Sequence, residues 1–289
     1  MIDTKLVQNL IATQFPQWNA LPITPVQNGG WDNRTFHLGT EMVIRMPSDK
    51  SYAMQVEKEQ LWLPLLAPHL PLSIPSPIAM GAPSNAYPYH WSIYRWIEGR
   101  TIEDESPSAK LSYAKELANF LSAFHKIKTE GGPPPGYHSF HRGGNLSHYT
   151  PDIEKALSLL EGKMNTAKAK SFWSQAASTK WTHPPVWVHG DLSPTNLLAN
   201  HETLTAVIDF GQLTIGDPAC DLSIAWTYFD PQSSKVFRSS LVLDEATWLR
   251  GKAWALWKAL ILASGLIKGP DREMIIAQKI LFEDFTLNK

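Results

Sequence analysis

Two polar loops, each delivered by an apolar strand-like segment, constrain this chain more than any other feature. The first lies in Val188-His189-Gly190-Asp191-Leu192-Ser193-Pro194-Thr195-Asn196-Leu197-Leu198, and the second in Ala206-Val207-Ile208-Asp209-Phe210-Gly211. Asn196 comes five residues after Asp191, and Asp209 eighteen after it. A short hairpin therefore brings three oxygen-bearing side chains to strand ends. Either loop alone means little, since an Asp beside a strand is usually a turn former. Their joint occurrence, in this order and between apolar strands, goes beyond turn chemistry.

Phosphoryl transfer needs this inventory. One carboxylate must orient an acceptor hydroxyl and take its proton, and two further oxygen ligands must hold Mg ions on a triphosphate. Asp191 suits the first task, and Asn196 and Asp209 the second. The order catalytic-loop Asp, Asn five later, then Asp-Phe-Gly is also that of protein kinases.

The stretch HGDLSPTN…VIDFGQLTIGDPACDL resembles the aminoglycoside phosphotransferase family, relatives of choline kinases and distant relatives of protein kinases. Gly190 between His189 and Asp191 is typical of that family, where protein kinases usually carry Arg. The resemblance covers nearly the whole chain. It implies an α+β, bilobal, protein-kinase-like fold with a small N-terminal lobe built on an antiparallel sheet and a larger, mostly helical C-terminal lobe. The change of character near Gly99 puts residues 1–98 in a nucleotide-binding lobe and 99–289 in a catalytic and substrate-binding lobe.

The resemblance also implies roles. His189 and Asp221 give structural support, with Asp221 bracing the catalytic loop; on its own, Asp221 reads equally as a helix N-cap. The segment Asn28-Gly29-Gly30-Trp31-Asp32-Asn33-Arg34-Thr35 takes the place of the triphosphate-covering loop, with Gly29, Gly30 and Asn33 against phosphate. Arg45 stands where many relatives use Lys, and Arg can clamp phosphate bidentately. Glu59 is the expected carboxylate partner of Arg45, with Glu57 as runner-up. Arg95, Trp96 and Ile97 form the hinge that reads the base. ATP or GTP with Mg2+ is the implied cofactor pair.

The acceptor is far less legible. Candidates are Asp152, Glu154, Trp226, Tyr228, Trp254, Trp257, Glu283 and Asp284. A polycationic aminoglycoside calls for a carboxylate-rich site, and this lobe is not conspicuously acidic. A metabolic kinase for choline, homoserine or a thiosugar competes with an antibiotic kinase. A nucleotide-binding module without catalysis is the alternative outside enzymes, and the intact Asp191, Asn196 and Asp209 speak against it. Gly190 and the lack of an Ala-Pro-Glu element after Asp209 speak against a protein kinase.

Composition sets outer bounds. The 289 residues are 43% hydrophobic and 18% charged, with a net charge of -1. That is globular composition with no field favouring nucleic acid or a membrane surface. The single cysteine, Cys220, allows no disulfide within one chain and no CxxC zinc site. No signal-peptide pattern opens the sequence, and the apolar stretch Trp254 to Ile267 is broken by Lys258. A cytoplasmic protein without membrane or nucleic-acid partners is the expectation. His125, His138, His141 and His148 fit no common zinc spacing.

Periodicity predicts helices over residues 5–15, 54–66, 111–127, 152–161 and 168–177, and through most of the chain after Leu222. Strands are expected at 35–38 and 42–46 as a hairpin about Gly39-Thr40, and at 91–97, 186–188 and 204–208.

Overall fold

The computed structural model describes residues 2–26, 32–103 and 105–285. Asp3 accepts the Leu6 N–H and so starts helix α1 (Thr4–Gln14). Its Val7, Leu10 and Ile11 share one face and are buried against a sheet. That sheet contains β1 (Ile23–Pro25), β2 (Asn33–Leu38), β3 (Met42–Pro47), β4 (Pro77–Gly81) and β5 (Trp91–Arg95), in the antiparallel order β1-β2-β3-β5-β4. The β2–β3 hairpin turns at Gly39-Thr40, with Leu38 opposite Met42. Helix α2 (Lys50–Leu66), capped by Asp49, follows β3.

Strands β1 and β4 escaped the sequence reading. Both are edge strands that contain or begin at proline, where a missing N–H is tolerated. The Pro-rich stretch after α2 thus ends in sheet.

Past Gly99 come β6 (Arg100–Thr101), α3 (Pro107–Phe124), α4 (Thr150–Leu159) and α5 (Thr166–Ser178). Next are β7 (Val186–Val188), β8 (Leu197–Asn200), β9 (Thr203–Val207) and β10 (Thr214–Gly216). The chain ends in α6 (Ile224–Thr227), α7 (Pro231–Ser240), α8 (Glu245–Ala263) and α9 (Asp271–Phe285). The small N-terminal sheet and largely helical C-terminal part match the expected α+β kinase-like architecture. Pairing of β8 with β9, and of β7 with β10, holds the two polar loops side by side.

The two halves share one core. Val43, Leu63, Leu66 and Tyr94 from the first half join Leu117, Phe120, Leu121, Phe124 and Phe210 from the second. The linker after α2 is stapled to β9: Ser73 N–H donates to Thr205 O, and Val207 N–H donates to Ser73 O. No helix among the described residues is long and apolar enough to cross a membrane.

His125 follows the buried face of α3, and its Nε2 is buried without a hydrogen-bond partner among the described residues. Burial pushes its pKa down to about 4. The folded pKa lies below the unfolded value, so the unfolded chain binds the extra proton and stability falls as pH drops from about 6.5 towards 4. His125→Leu should remove about 2–3 kcal/mol of the stability difference between pH 7 and 4.5. Urea unfolding of both proteins at the two pH values measures it; equal pH dependence would contradict this role.

Candidate active site

The site is built on one buried carboxylate. Asp221 lies in a short 3-10 helix, Pro218–Ser223, and is fully buried. Its Oδ2 accepts the His189 N–H and its Oδ1 the Gly190 N–H, each at 2.8 Å. Burial pushes its pKa up, while His189 and the two N–H groups act against that rise. Gly190 has φ +89, and a Cβ there would lie 2.9 Å from both the Gln212 carbonyl oxygen and its Cβ. Only glycine fits this turn without moving backbone.

The His189 ring locks the other side of the loop. Its Nε2 lies 3.0 Å from Ile208 O, and its Nδ1 accepts the Asp191 N–H at 3.2 Å. A carbonyl partner demands a proton on Nε2 and an N–H partner demands a bare Nδ1, so the ring is neutral. Burial, which lowers its pKa, acts in the same direction.

Asp191, Asn196 and Asp209 converge as their spacing implies. Asn196 Nδ2 donates to Asp191 O at 2.9 Å and lies 3.5 Å from Asp191 Oδ2. Its backbone oxygen accepts the Ile208 N–H. The amide is thereby oriented, and its Oδ1 takes no hydrogen bond among the described residues. Asp209 sits at φ +64, sparsely populated for a residue other than glycine and frequent at functional sites.

Charge is balanced locally. Arg45 on β3 binds Asp209 Oδ1 through Nη2 at 2.7 Å and stands 3.5 Å from Glu59 Oε1 on α2. Glu57 faces the other way and pairs with His90. The Tyr94 hydroxyl donates to Glu59 Oε2. Burial opposes the Asp209 charge, but the ion pair and hydrogen bond from Arg45 win and hold its pKa below the usual range. Burial raises the pKa of Glu59 despite Arg45, and likewise that of Asp191, where Arg142 opposes the rise. A carboxylate with a raised pKa is better suited to accepting a proton.

Asp32, which the sequence reading left without a role, lies close enough to Asp209, Arg45 and Asp191 to feel their charges. Burial first, then Asp209, push its pKa up to about 6. Carboxylate and amide oxygens of this kind are the donors a hard divalent cation selects.

Asn33 is buried at the start of β2. Gly29 and Gly30 lie outside the described residues. In the hinge, Arg95 N–H donates to Ser76 O and Trp96 N–H to Glu41 O, while the Trp96 ring packs on His37 with centroids 4.4 Å apart. Trp96 is thus engaged in packing and sheet pairing. Ile97 is half-buried beside it.

The acceptor candidates separate into groups. Trp226 packs on Trp248, and the buried Tyr228 donates to Ile102 O, so both serve the core. Glu154 is exposed, and Glu283 and Asp284 face Lys279 and Lys252. Trp254, Trp257 and Tyr149 pack on one another, and Arg142, which no sequence signal had singled out, caps the three rings. The guanidinium carbon stands 4.6 Å from each indole centroid and 5.5 Å from the Tyr149 ring. Asp152 accepts the Trp257 Nε1–H at 3.2 Å. Among the described residues, no group of three or more His, Cys, Asp or Glu residues could hold a metal ion by itself. His138 binds Lys58, and His141 stacks on His148.

The fold and this geometry define a kinase-like phosphotransferase. The chain belongs to the phosphotransferase enzyme family, whose sequence model matches residues 23–254. It resembles an APH(2") enzyme solved with GDP and kanamycin, at 21% identity and TM-score 0.74, over 96% of this chain and 97% of that one. It also resembles the APH(2")-IIa complex with gentamicin, at 18% identity and TM-score 0.64, over 98% and 97% of the two chains. A third likeness is to macrolide 2'-phosphotransferase MphH from Brachybacterium faecium, at 19% identity and TM-score 0.64, over 95% and 97%. At these identities the structural likeness speaks to fold. No functionally curated protein sequence matches the chain.

A buried pair anchors the whole arrangement. Arg250 on α8, 1% exposed, donates from Nε to Asp217 Oδ2 at 2.6 Å and from Nη2 to Asp217 Oδ1 at 3.3 Å. Asp217 caps the short helix that carries Asp221. Arg250→Met should cost about 3–5 kcal/mol in denaturant unfolding, because Asp217 is left buried and uncompensated. Adding Asp217→Leu should recover most of it; a single variant as stable as wild type would show the pair is not an anchor.

Proposed function

We propose that this protein is a Mg-ATP-dependent O-phosphotransferase acting on a hydroxyl of a small molecule. The observation that carries this reading is the convergence of Asp191, Asn196 and Asp209 on one cleft, braced by Asp221 and faced by Arg45. Residues 1–98 form the nucleotide lobe, where Arg45, held by Glu59, binds phosphate oxygens. The backbone of Arg95 to Ile97 faces the base. Residues 99–289 supply the catalytic loop and the acceptor wall. GTP is the alternative donor.

The acceptor hydroxyl gives its proton to Asp191 as its oxygen forms a bond to the γ-phosphorus. The bond from the γ-phosphorus to the β,γ-bridging oxygen breaks, and ADP leaves with that electron pair. Asn196 Oδ1 and the Asp209 carboxylate would hold Mg2+. Bound there, the ion neutralises charge on the β- and γ-phosphates. Burial raises the pKa of Asp191, and the Asn196 amide fixes its loop, so the base is placed before the acceptor arrives. The family membership and the aminoglycoside- and macrolide-bound or -named relatives support a small-molecule acceptor.

ATP consumption with a panel of hydroxylated acceptors and Mg2+ tests the reading. Asp191→Ala should lower kcat by about 10²–10⁴ while leaving nucleotide affinity within a few-fold. Wild-type turnover by that variant would remove Asp191 from its role.

A further inference from the structure

An aromatic cluster beside a catalytic carboxylate ordinarily invites a cationic ligand. Here that cation comes from the chain itself. Tyr149, Trp254 and Trp257 pack on one another, and Arg142 caps the three rings. Its Nε donates to Gln212 Oε1 and its Nη1 to the Tyr149 hydroxyl, both at 3.2 Å. The Tyr149 hydroxyl in turn donates to Phe140 O. Three rings and two acceptors thus fix the guanidinium plane, while Nη2 makes no hydrogen bond among the described residues.

Position gives this cation its meaning. A Cβ built on Gly190 would lie 3.2 Å from Arg142 Cβ, so Arg142 rises directly beside the catalytic loop. Its charge acts on Asp191, yet no ion pair joins the two among the described residues. Lys258, the other cation acting on Asp191, already has a carboxylate, Glu273 at 3.3 Å. Arg142 has none among the described residues. The exposed Asp152 carboxylate is bonded to the Trp257 N–H.

Resting on the phosphotransferase reading, we infer that Arg142, held by Tyr149, Trp254 and Trp257, is the specificity residue for an acceptor that carries an anionic oxyacid group alongside its hydroxyl. A carboxylate or phosphate on the acceptor takes the free guanidinium edge, and the hydroxyl then falls beside Asp191. A polycationic acceptor meets a fixed positive charge instead.

The test uses the full chain, Mg-ATP and matched acceptor pairs: gluconate against glucose, glycerate against glycerol, glycerol 3-phosphate against glycerol, with kanamycin and erythromycin alongside. The anionic member of at least one pair should be phosphorylated with higher kcat/KM than its neutral parent and than either antibiotic. Arg142→Gln should raise KM for that anion about tenfold or more, and Arg142→Lys should restore part of it. Higher kcat/KM for kanamycin, erythromycin or a neutral parent than for every anion overturns the inference, as does an unchanged KM in Arg142→Gln. If Arg142→Gln does not fold, the ranking within wild-type pairs decides alone. Turnover of no panel member also counts against it. In that case, slow ATP hydrolysis by wild type that Asp191→Ala abolishes keeps the phosphotransferase reading intact, whereas hydrolysis indifferent to Asp191→Ala overturns that reading too.

Discussion

The proposed catalytic loop depends on a fully buried carboxylate. Asp221 binds two consecutive backbone N–H groups, His189 and Gly190, with one oxygen each. A loop of this shape has no strand or helix to satisfy those donors, and leaving them buried and unpaired would cost several kcal/mol. Asp221 fulfils both bonds and fixes the direction in which Asp191 leaves the turn. Its own position is set by Asp217, whose carboxylate is gripped by Arg250 from α8. A line of contacts therefore runs from a long helix, through one ion pair and one short helix, to the proposed base.

The same helix builds the opposite wall. Arg250, Trp254, Trp257 and Lys258 recur at helical spacing along α8, so one face carries both the anchor of the loop and the indoles that Arg142 caps. In the cleft between, burial and Coulomb forces compete residue by residue. Arg45 prevails at Asp209, and burial prevails at Glu59 and Asp191. The outcome is a charged carboxylate at the proposed metal ligand and a more basic one at the proposed proton acceptor.

Much of this was legible in the sequence because the chemistry is local there. Asp191, Asn196 and Asp209 lie on one hairpin, where strand pairing converts spacing into position. Gly190 could be read as a family mark, and its positive φ and the Gln212 backbone beneath it give the physical reason. Glu59 was preferred to Glu57 because Leu63 and Leu66 follow it at the spacing of the family it resembles, and the two glutamates, two residues apart on a helix, point to different faces. The acceptor wall was not legible. Arg142 meets residues more than a hundred positions away in sequence, through a Gly- and Pro-rich loop whose path no periodicity describes. That run of glycine and proline around an isolated Arg was the available signal, and it reads equally as an ordinary surface loop. Asp32 was obscured in the same way, because its neighbours Asp209 and Asp191 arrive from the other lobe. Strand β10 is only three residues long, and its partner β7 lies well back in the sequence.

The central claim is that Asp221 holds the catalytic loop in the geometry that phosphoryl transfer uses. Amide hydrogen exchange at His189 and Gly190, measured with ATP turnover in wild type and Asp221→Asn, tests it most directly. An asparagine offers one acceptor oxygen where the carboxylate offers two, so at least one of the two amides should exchange much faster in the variant. Turnover should fall with it, while amides of α3 and α8 keep their protection. Unchanged exchange at both amides with undiminished turnover would contradict the account.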